Sequence, residues 1–443
     1  MIPLKNFVYY IPAGDYFDHE PQACFLVYSP LKLKSFLALP AEVERIRELL
    51  ESEHSNDELF KTLLPETSVY ERYTSVIIPE MTSMQLLLNE RCNFNCSYCY
   101  SAGSRSDTEL SIAQIESALK FIHECAKKHS LDTVSVTFIG GGEPMLSWDL
   151  VTATVHLSQK LAAADSIKTK WVLVTNGSIF SDAQIEFCCE HNFEIQFSFE
   201  ILERIQNLQR KSFNLVSSNL KKVLAAGANV YIRSTITEDN VDLLPEMAAE
   251  CLKEYPGVSV IGCEPVSDPL QMTDPQKAKA FYDRYFASYQ AACNLLAGTK
   301  LTLSSSSSRV LHKLRRRFCG PMFVVSPEGE LISCAHYSSR EMPEFQNFHY
   351  GSIKNEQINI SSDKFKTIYP DELPVECQNC WARWNCGGGC PNQRLIYNTE
   401  VFNVICDARK QILRHELLRV IGEQYTKTTG KDFKSTISKM LDA

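Results

Sequence analysis

Residues 83–100, SMQLLLNERCNFNCSYCY, join an apolar stretch to three closely spaced cysteines, and this junction decides how the rest of the chain is interpreted. The apolar residues predict a strand, and Cys92, Cys96 and Cys99 follow it in a loop with the spacing C-x3-C-x2-C. A structural zinc ion normally has four protein ligands, but no further cysteine or histidine occurs in the next twenty residues. In a four-iron cluster each iron is normally bound by a cysteine. The sequence therefore predicts an iron–sulfur cluster with one open iron that binds a small molecule.

The region around this loop alternates regularly between strand and helix patterns. Six strand–helix units follow one another from residue 83 to residue 295, which predicts a parallel sheet with helical crossovers. Six units are fewer than the eight of a closed (β/α) barrel, so the predicted fold class is α/β with an open, partial (β/α)6 barrel. We expect the functional groups at the carboxyl ends of the strands.

Three domains are predicted: residues 1–80, 81–298 and 299–443. In the first, residues 23–40 predict two strands and residues 41–52 a helix. Residues 55–64 predict a second helix capped by Ser55 or Asn56, and residues 65–80 a linker. This is a small α+β module. In the third, the break SSSSS at 304–308 precedes a cysteine-rich segment, residues 407–425 predict a last helix, and the tail after residue 427 is expected to fray.

Composition limits the classes of function. The net charge of −8 argues against nucleic acid as the main partner, because phosphate binding favours a basic face. No apolar run long enough for a membrane span is present, and the N-terminus is too polar for a signal peptide, so a cytoplasmic location without a membrane partner is expected. In a reducing compartment, the 17 cysteines point to metal binding rather than to disulfides.

With these features the chain resembles the radical S-adenosylmethionine (SAM) enzymes. The resemblance lies in the cysteine loop after the first strand, in GGGEP at 140–144 after the second, and in TNG at 175–177 after the third. It implies that the open iron chelates SAM. An electron from the cluster then cleaves SAM to a 5′-deoxyadenosyl radical, which abstracts a substrate hydrogen.

The same resemblance assigns the SAM contacts. Tyr98 would pack near the adenine, and the backbone at Gly141 and Gly142 with the Glu143 carboxylate would bind the ammonium group. Two residues at later strand ends would bind the rest of the cofactor: Ser198 the ribose and Arg233 the SAM carboxylate.

The later cysteines resemble the SPASM extension of peptide-modifying radical SAM enzymes, over residues 319–406. The resemblance implies two auxiliary four-iron clusters, one held by Cys377, Cys380, Cys386 and Cys406, the other by Cys319, Cys334 and Cys390. With the SAM-binding cluster this makes three [4Fe-4S] clusters, and the second auxiliary one lacks a fourth cysteine. A pair of zinc ribbons is the alternative, since C-x2-C and C-x3-C also suit zinc.

The N-terminal module resembles a PqqD-like, winged-helix peptide-recognition element that binds the leader of a ribosomally made precursor peptide as an added strand. The predicted function is therefore a peptide maturase that forms a carbon–carbon or thioether crosslink, with a flavodoxin or ferredoxin as electron donor. Glu200 and His336 are candidates for substrate contact or proton removal. Peptide epimerisation, sulfatase maturation and non-catalytic electron transfer remain alternatives. Ala335, where sulfatase-maturing enzymes typically have an aspartate, speaks against the second of these.

Overall fold

A computed structural model describes residues 7–51, 57–65, 81–267, 272–308, 314–370 and 372–442. The chain divides into two compact units. One comprises residues 1–76, 306–320 and 372–443, and the other residues 77–305 and 321–371. Residues of the predicted third domain thus occur in both units. The division into the three domains 1–80, 81–298 and 299–443 remains a prediction.

The N-terminal part of the first unit is a three-stranded antiparallel sheet in the order β1-β2-β3. Its strands are β1 (Tyr9–Pro12), β2 (Phe25–Ser29) and β3 (Lys34–Ala38), followed by α1 (Pro40–Glu51) and α2 (Glu58–Leu63). Val27 on one face packs with Val43 and Ile46 of α1, as the helical spacing of these residues predicts. Asp57 caps α2 through the N–H groups of Leu59 and Phe60. The predicted caps Ser55 and Asn56 lie outside the described residues.

The second unit contains all six predicted strand–helix units. Its elements run β4 (Ser83–Leu86), α3 (Ile112–Lys128), β5 (Thr133–Phe138), α4 (Trp148–Asp165), β6 (Lys168–Thr175), α5 (Asp182–Glu190), β7 (Glu194–Ser198), α6 (Glu203–Gln209), α7 (Phe213–Ala225), β8 (Asn229–Ile236), α8 (Leu244–Glu254), β9 (Val260–Pro265) and α9 (Pro275–Leu295). The short helix α6 has no counterpart in the sequence prediction.

Five more strands extend this sheet: β10 (Thr302–Ser304), β11 (Phe323–Val325), β12 (Glu330–Ile332), β13 (His349–Lys354) and β14 (Gln357–Ile360), followed by α10 (Ser362–Ile368). Among the described residues the order is β10-β9-β8-β7-β6-β5-β4-β11-β12-β13-β14. Neighbours from β10 to β11 are parallel, and the last pairings are antiparallel. The edges are β10 and β14, so the predicted α/β class and open parallel sheet are confirmed.

The two faces of this sheet differ in polarity. Phe138 and Trp171 stack on one face with ring centroids 5.9 Å apart, and Phe193 joins them. Alternate residues on the other face are half-buried and largely polar; they include Ser135, Thr137, Gln196, Ser198, Tyr231, Arg233 and Thr235. A parallel sheet covered on both sides normally has apolar residues on both faces. The polar face therefore marks the side of the sheet that is suited to binding a polar ligand.

The C-terminal part of the first unit is helical. It comprises α11 (Val375–Gln378), α12 (Arg383–Cys386), α13 (Pro391–Ile396), α14 (Thr399–Thr429) and α15 (Phe433–Leu441). Leu413 and Leu417 of α14 pack on the second face of the N-terminal sheet, in one core with Leu26. The expectation that the tail frays is wrong, because Phe433 of α15 is buried against Phe17, with ring centroids 5.4 Å apart.

Candidate functional site

The loops after β4 and β5 are joined by backbone hydrogen bonds at the carboxyl end of the sheet. The N–H of Gly142 donates to the Asn89 carbonyl at 2.9 Å, and the N–H of Glu143 donates to the Arg91 carbonyl at 2.7 Å. A Cβ on Gly142 would lie 1.9 Å from that Arg91 carbonyl oxygen. Only glycine fits here, because any side chain would collide with the Arg91 backbone. This close contact holds the GGGEP loop against the start of the cysteine loop.

The three thiols of the cysteine loop are half-buried and have hydrogen-bond donors around them. The Phe94 N–H lies 3.4 Å from Cys92 Sγ, and Ser101 Oγ lies 3.3 Å from Cys99 Sγ. Arg105 Nη2 is 3.9 Å from the same Cys99 sulfur. Burial raises the pKa of the Cys92 and Cys96 thiols.

These surroundings fit an iron–sulfur cluster. The buried Nε of Arg105 has no hydrogen-bond partner within the described part of the chain, and a buried donor of this kind normally has one. A sulfide-rich cluster bound by neighbouring thiolates would accept hydrogen bonds at this position. The donor set of three cysteines and the unpaired guanidinium nitrogen therefore agree with the predicted cofactor.

Glu143 is buried and its carboxylate links two strand ends. Its oxygens accept hydrogen bonds from Thr175 Oγ1 at 2.6 Å, the Asn176 N–H at 2.7 Å and the Met145 N–H at 3.1 Å. Burial raises the pKa of the carboxyl, and these hydrogen bonds oppose that shift. Asn176 also directs its amide toward Cys92 Sγ at 3.9 Å. The TNG tripeptide and the GGGEP motif thus form one network next to the cysteine loop.

Tyr98 in the cysteine loop belongs to a buried charged group. Its hydroxyl donates to Glu200 and accepts from Arg210 Nη1 at 2.6 Å. Glu200 is fully buried; its other oxygen accepts from the Ser234 hydroxyl and from the Thr235 N–H at 3.1 Å. The Arg210 guanidinium lies 3.8 Å from the Glu200 carboxylate. Burial raises the pKa of Glu200, and the charge of Arg210 opposes this shift.

Arg210 was missed by sequence reasoning, because no motif contains it. It directly follows α6, and the Ser97 N–H of the cysteine loop donates to the Gln209 carbonyl of that helix at 2.9 Å. The helix after β7 therefore contacts the cysteine loop through one backbone hydrogen bond and through the buried arginine that follows the helix.

The predicted SAM contacts Ser198 and Arg233 are adjacent in the sheet. They are paired residues of β7 and β8, and both are half-buried on its polar face. Gly141 lies close to Ser338, whose Cβ would be 3.2 Å from an added methyl group. The structure brings these residues to the carboxyl end of the sheet, and their contacts with SAM stay a prediction.

His336 lies beside the cysteine loop. Its ring is 4.1 Å from the ring of Tyr100, the residue after Cys99, and its Nδ1 is 3.8 Å from Cys334 Sγ. Burial, with a smaller effect of the Arg233 charge, lowers the pKa of His336 to about 4. The imidazole is therefore neutral near pH 7. Tyr100 was not predicted as a site residue, although its place after the third cysteine was a signal for it.

The cysteines predicted to hold one auxiliary cluster lie in the first unit and influence one another electrostatically. Burial raises the pKa of Cys377, Cys380 and Cys406, the last to about 11, and the charges of neighbouring thiols in this set raise each of them further. The charge of Cys386 raises the pKa of all three thiols. Cys380 and Cys386 also pack on the core beneath the N-terminal sheet. The mutual influence agrees with a common site for the four.

The three cysteines predicted to hold the other auxiliary cluster are divided between the two units. Cys319 and Cys390 belong to the first unit, and the charge of Cys390 adds to the burial that raises the pKa of Cys319 to about 12. Cys334 belongs to the second unit. Their combination in one cluster site stays a prediction. Within the described ranges, no three His, Cys, Asp or Glu side chains gather to hold a single metal ion.

Comparison with known proteins identifies the central region. Residues 86–254 match the Radical SAM superfamily. The chain carries a radical SAM domain. This domain begins at the end of β4, includes the cysteine loop, Glu143 and Glu200, and ends with α8.

Two curated relatives are similar to this chain in sequence. The radical SAM cyclopropyl synthase TigE of Paramaledivibacter caminithermalis is 24% identical over 199 residues, which is 41% of each chain. This chain thus spans less than half the length of that relative. A serine-type anaerobic sulfatase-maturating enzyme of Klebsiella aerogenes is 23% identical over 328 residues, 68% of this chain and 77% of the relative.

A solved structure, native anSMEcpe with bound AdoMet, has the same fold. It superposes with a TM-score of 0.61 at 18% identity and covers 76% of this chain and 98% of its own. The radical SAM barrel fold predicted from the sequence is therefore confirmed. Among the described residues, no helix is both long and apolar enough to cross a membrane.

Proposed function

We propose that this protein is a radical SAM peptide maturase that forms a carbon–carbon or thioether crosslink in a ribosomally made precursor peptide. The observation that carries the proposal is the joined pair of loops after β4 and β5. It brings the cysteine loop, with Cys92 Sγ 3.9 Å from the Asn176 amide, beside the Glu143 network at the carboxyl end of an open parallel sheet. When bound, SAM on the cluster supplies a 5′-deoxyadenosyl radical that removes a hydrogen atom from the peptide.

In this proposal the chain's own residues hold and orient the cofactor. Cys92, Cys96 and Cys99 bind three irons of the cluster. The GGGEP backbone stays in place because Glu143 is fixed by Thr175 and Asn176. The SAM molecule would be contacted by Tyr98, Gly141, Gly142, Glu143, Ser198 and Arg233. Cys319, Cys334, Cys377, Cys380, Cys386, Cys390 and Cys406 would hold two auxiliary clusters.

The two candidate catalytic residues differ in their surroundings. Both oxygens of Glu200 are engaged by hydrogen bonds, and the residue is fully buried, so we assign it to positioning Tyr98 and Arg210. The His336 ring lies 4.1 Å from the Tyr100 ring, at an interplanar angle of 55°, next to the cysteine loop and in the same unit as that loop. We assign substrate contact to His336.

Two observations support a peptide as substrate. The half-buried face of the sheet is polar at positions such as Gln196 and Tyr231, which suits the amides of a peptide. In the N-terminal module no further described strand pairs with β3, and Leu33 and Leu39 at its two ends are 57% and 43% exposed. A free strand edge flanked by exposed leucines supports binding of a leader peptide as an added strand.

Sulfatase maturation is the second candidate. One relative is named for that activity, and the alignment covers 77% of it. Ala335, next to Cys334, stands where those enzymes typically have an aspartate, and alanine carries no group able to take a proton. We therefore favour the precursor-peptide substrate.

A low-potential donor, a flavodoxin or ferredoxin, is the proposed electron source, and a cytoplasmic location is proposed because clusters of this kind need a reducing compartment. Neither nucleic acid nor membrane is proposed as a partner.

The first test measures SAM cleavage. Anaerobically reconstituted protein with a full iron complement is expected to form 5′-deoxyadenosine from SAM when reduced, and Cys96→Ala is expected to abolish this formation. A fully iron-loaded protein that leaves SAM intact would overturn the proposal in favour of a non-catalytic electron carrier.

The second test identifies the substrate. Candidate precursor peptides encoded beside the gene are co-expressed with the enzyme, and their masses are measured. A crosslink is expected as a loss of two hydrogens, whereas epimerisation leaves the mass unchanged. A sulfatase peptide converted from serine or cysteine to formylglycine would favour the second candidate.

Leu33→Lys with Leu39→Lys should weaken leader binding, while Leu208→Lys, equally exposed in the other unit, should not.

A further inference from the structure

The four-cysteine set of the first unit is surrounded by positive side chains that the proposed function does not use. Arg394 Nη2 lies 3.5 Å from Cys377 Sγ and donates to the Gly388 carbonyl at 2.7 Å. Its Nη1 bonds to Glu376 at 2.5 Å, and the guanidinium lies 4.3 Å from the centroid of the Phe402 ring. Arg394 is thus held from several sides with one N–H directed at a thiol.

Two further cations follow Cys406 within one turn of α14. The positive charge of Arg409 opposes the burial that raises the pKa of Cys406 and Cys319, and that of Lys410 does the same for Cys380. Arg409 stacks over the Phe318 ring at 4.9 Å. Its buried Nη1 has no hydrogen-bond partner in the part of the chain that the structure describes.

The loop of the first cluster has a different charge balance. The negative charges of two buried carboxylates raise the pKa of its thiols: Glu143 that of Cys92 and Glu200 that of Cys96. The positive charges of Arg105 and Arg210 lower the pKa of the same two thiols, Cys92 and Cys96 respectively. The charges around the first site therefore largely offset one another. Around the four-cysteine set, the three cations Arg394, Arg409 and Lys410 face two carboxylates, Glu376 and Asp407, and the second of these accepts a hydrogen bond from Lys410 at 2.9 Å.

We propose that Arg394, Arg409 and Lys410 set the reduction potential of the auxiliary cluster at Cys377, Cys380, Cys386 and Cys406 above that of the SAM-binding cluster. The inference rests on the proposed function. A reduced cluster carries one more negative charge, so nearby cations and N–H bonds to its sulfurs stabilise the reduced form. As the substrate radical closes its new bond, it releases one electron and one proton. The auxiliary cluster that these four cysteines would hold would accept this electron in its oxidised form, and the proton would pass to solvent.

Arg394 is a positioning residue in this scheme, because it acts through the cluster and does not contact the peptide. Its test needs a readout other than turnover. A background variant, with Cys92, Cys96, Cys99 and Cys319 replaced by alanine, confines the remaining iron to the four-cysteine set. In that background the midpoint potential is measured by redox titration with electron paramagnetic resonance.

The expected result is a more negative midpoint potential in Arg394→Gln, a smaller decrease in Lys410→Gln and an intermediate value in Arg394→Lys, which keeps the charge but loses the planar fork. The matched control is Arg204→Gln, an exposed arginine paired with Glu246, and it should leave the potential unchanged. Iron content is measured for every variant.

An unchanged potential in the three variants, with iron retained, overturns the inference and leaves the proposed function standing. If Arg394→Gln loses its iron, Arg394→Lys and Lys410→Gln decide the question. A background variant that binds no iron contradicts the auxiliary cluster itself, and thus the cofactor set of the proposed function.

Discussion

Arg210 donates a hydrogen bond of 2.6 Å to the phenol oxygen of Tyr98, and so joins the residue after α6 to the cysteine loop. The same phenol donates to the fully buried Glu200, so that a positive and a negative side chain are satisfied through one tyrosine. Buried charges are costly unless they are paired and hydrogen-bonded. This group therefore holds the loop in one conformation at the cost of desolvating two charges.

Removing one partner of this group should destabilise the fold strongly. Arg210→Gln leaves Glu200 buried without its counter-charge, and we expect the free energy of unfolding to fall by about 3 to 5 kcal/mol. Urea unfolding of the apo-protein followed by circular dichroism measures the change. The double variant Arg210→Gln with Glu200→Gln should recover part of the loss. If Arg210→Gln alone unfolds at the wild-type urea concentration, the buried pair is not holding the loop.

A methyl group at Gly142 should disrupt the contact between the two loops. In Gly142→Ala the added Cβ would lie 1.9 Å from the Arg91 carbonyl oxygen, so the GGGEP loop must move. We expect loss of SAM binding, measured by equilibrium dialysis with the iron-loaded protein. Gly103→Ala is the matched control, since nothing lies within 4 Å of its added Cβ. Equal SAM affinity of the two variants would contradict the close approach.

Iron content should separate the clustered cysteines from the scattered ones. Cys386→Ser removes a predicted ligand of one auxiliary cluster, and we expect loss of about four of about twelve irons per chain, the number that three four-iron clusters hold. Cys189→Ser, which alters a scattered thiol that donates to the Ala226 carbonyl at 3.7 Å, should retain all of them. Iron and zinc are measured together by mass spectrometry. Zinc in place of iron in the native protein would favour the zinc-ribbon alternative.

The N-terminal sheet should depend on its contact with the cysteine-rich helices of the same unit. Tyr28 donates a buried hydrogen bond to Asn385 Oδ1 at 2.7 Å. Tyr28→Phe keeps the ring and removes this bond, so we expect a loss of about 1 kcal/mol in stability. The control is Tyr425→Phe, whose hydroxyl makes no hydrogen bond in the described residues. Thermal unfolding that shifts equally in both variants would show that the bond contributes nothing specific.

Much of the central fold was predictable because its signals are local. Strands such as β5, β7 and β8 alternate buried apolar residues with more polar ones, and the following helices have their own apolar stripes. The spacing of the clustered cysteines, from which we predict that they are ligands, is likewise visible in short stretches of sequence. The cap of α3 at Ser111, with Gln114 in a capping box, is the same kind of short-range information.

Strands β11 to β14 were not predicted, because three-residue strands such as β11 and β12 show little periodicity. The structure shows them because β11 pairs with β4, more than 200 residues away along the chain, and β12 to β14 continue the sheet from β11. The same reason explains why Arg210 and Arg394 were missed. Neither belongs to a motif, and each acquires its role from a thiol or phenol brought close by folding.

The sequence by itself determined the class of chemistry, since ligand type and spacing are covalent properties of the chain: three thiols with no fourth neighbour, and seven more near the end. The tertiary structure alone decided the environment of those thiols. It surrounded the first loop with the buried carboxylates Glu143 and Glu200, and the later set with arginines and a lysine. Electrostatic effects depend on distance and burial, and neither is fixed until distant segments pack together.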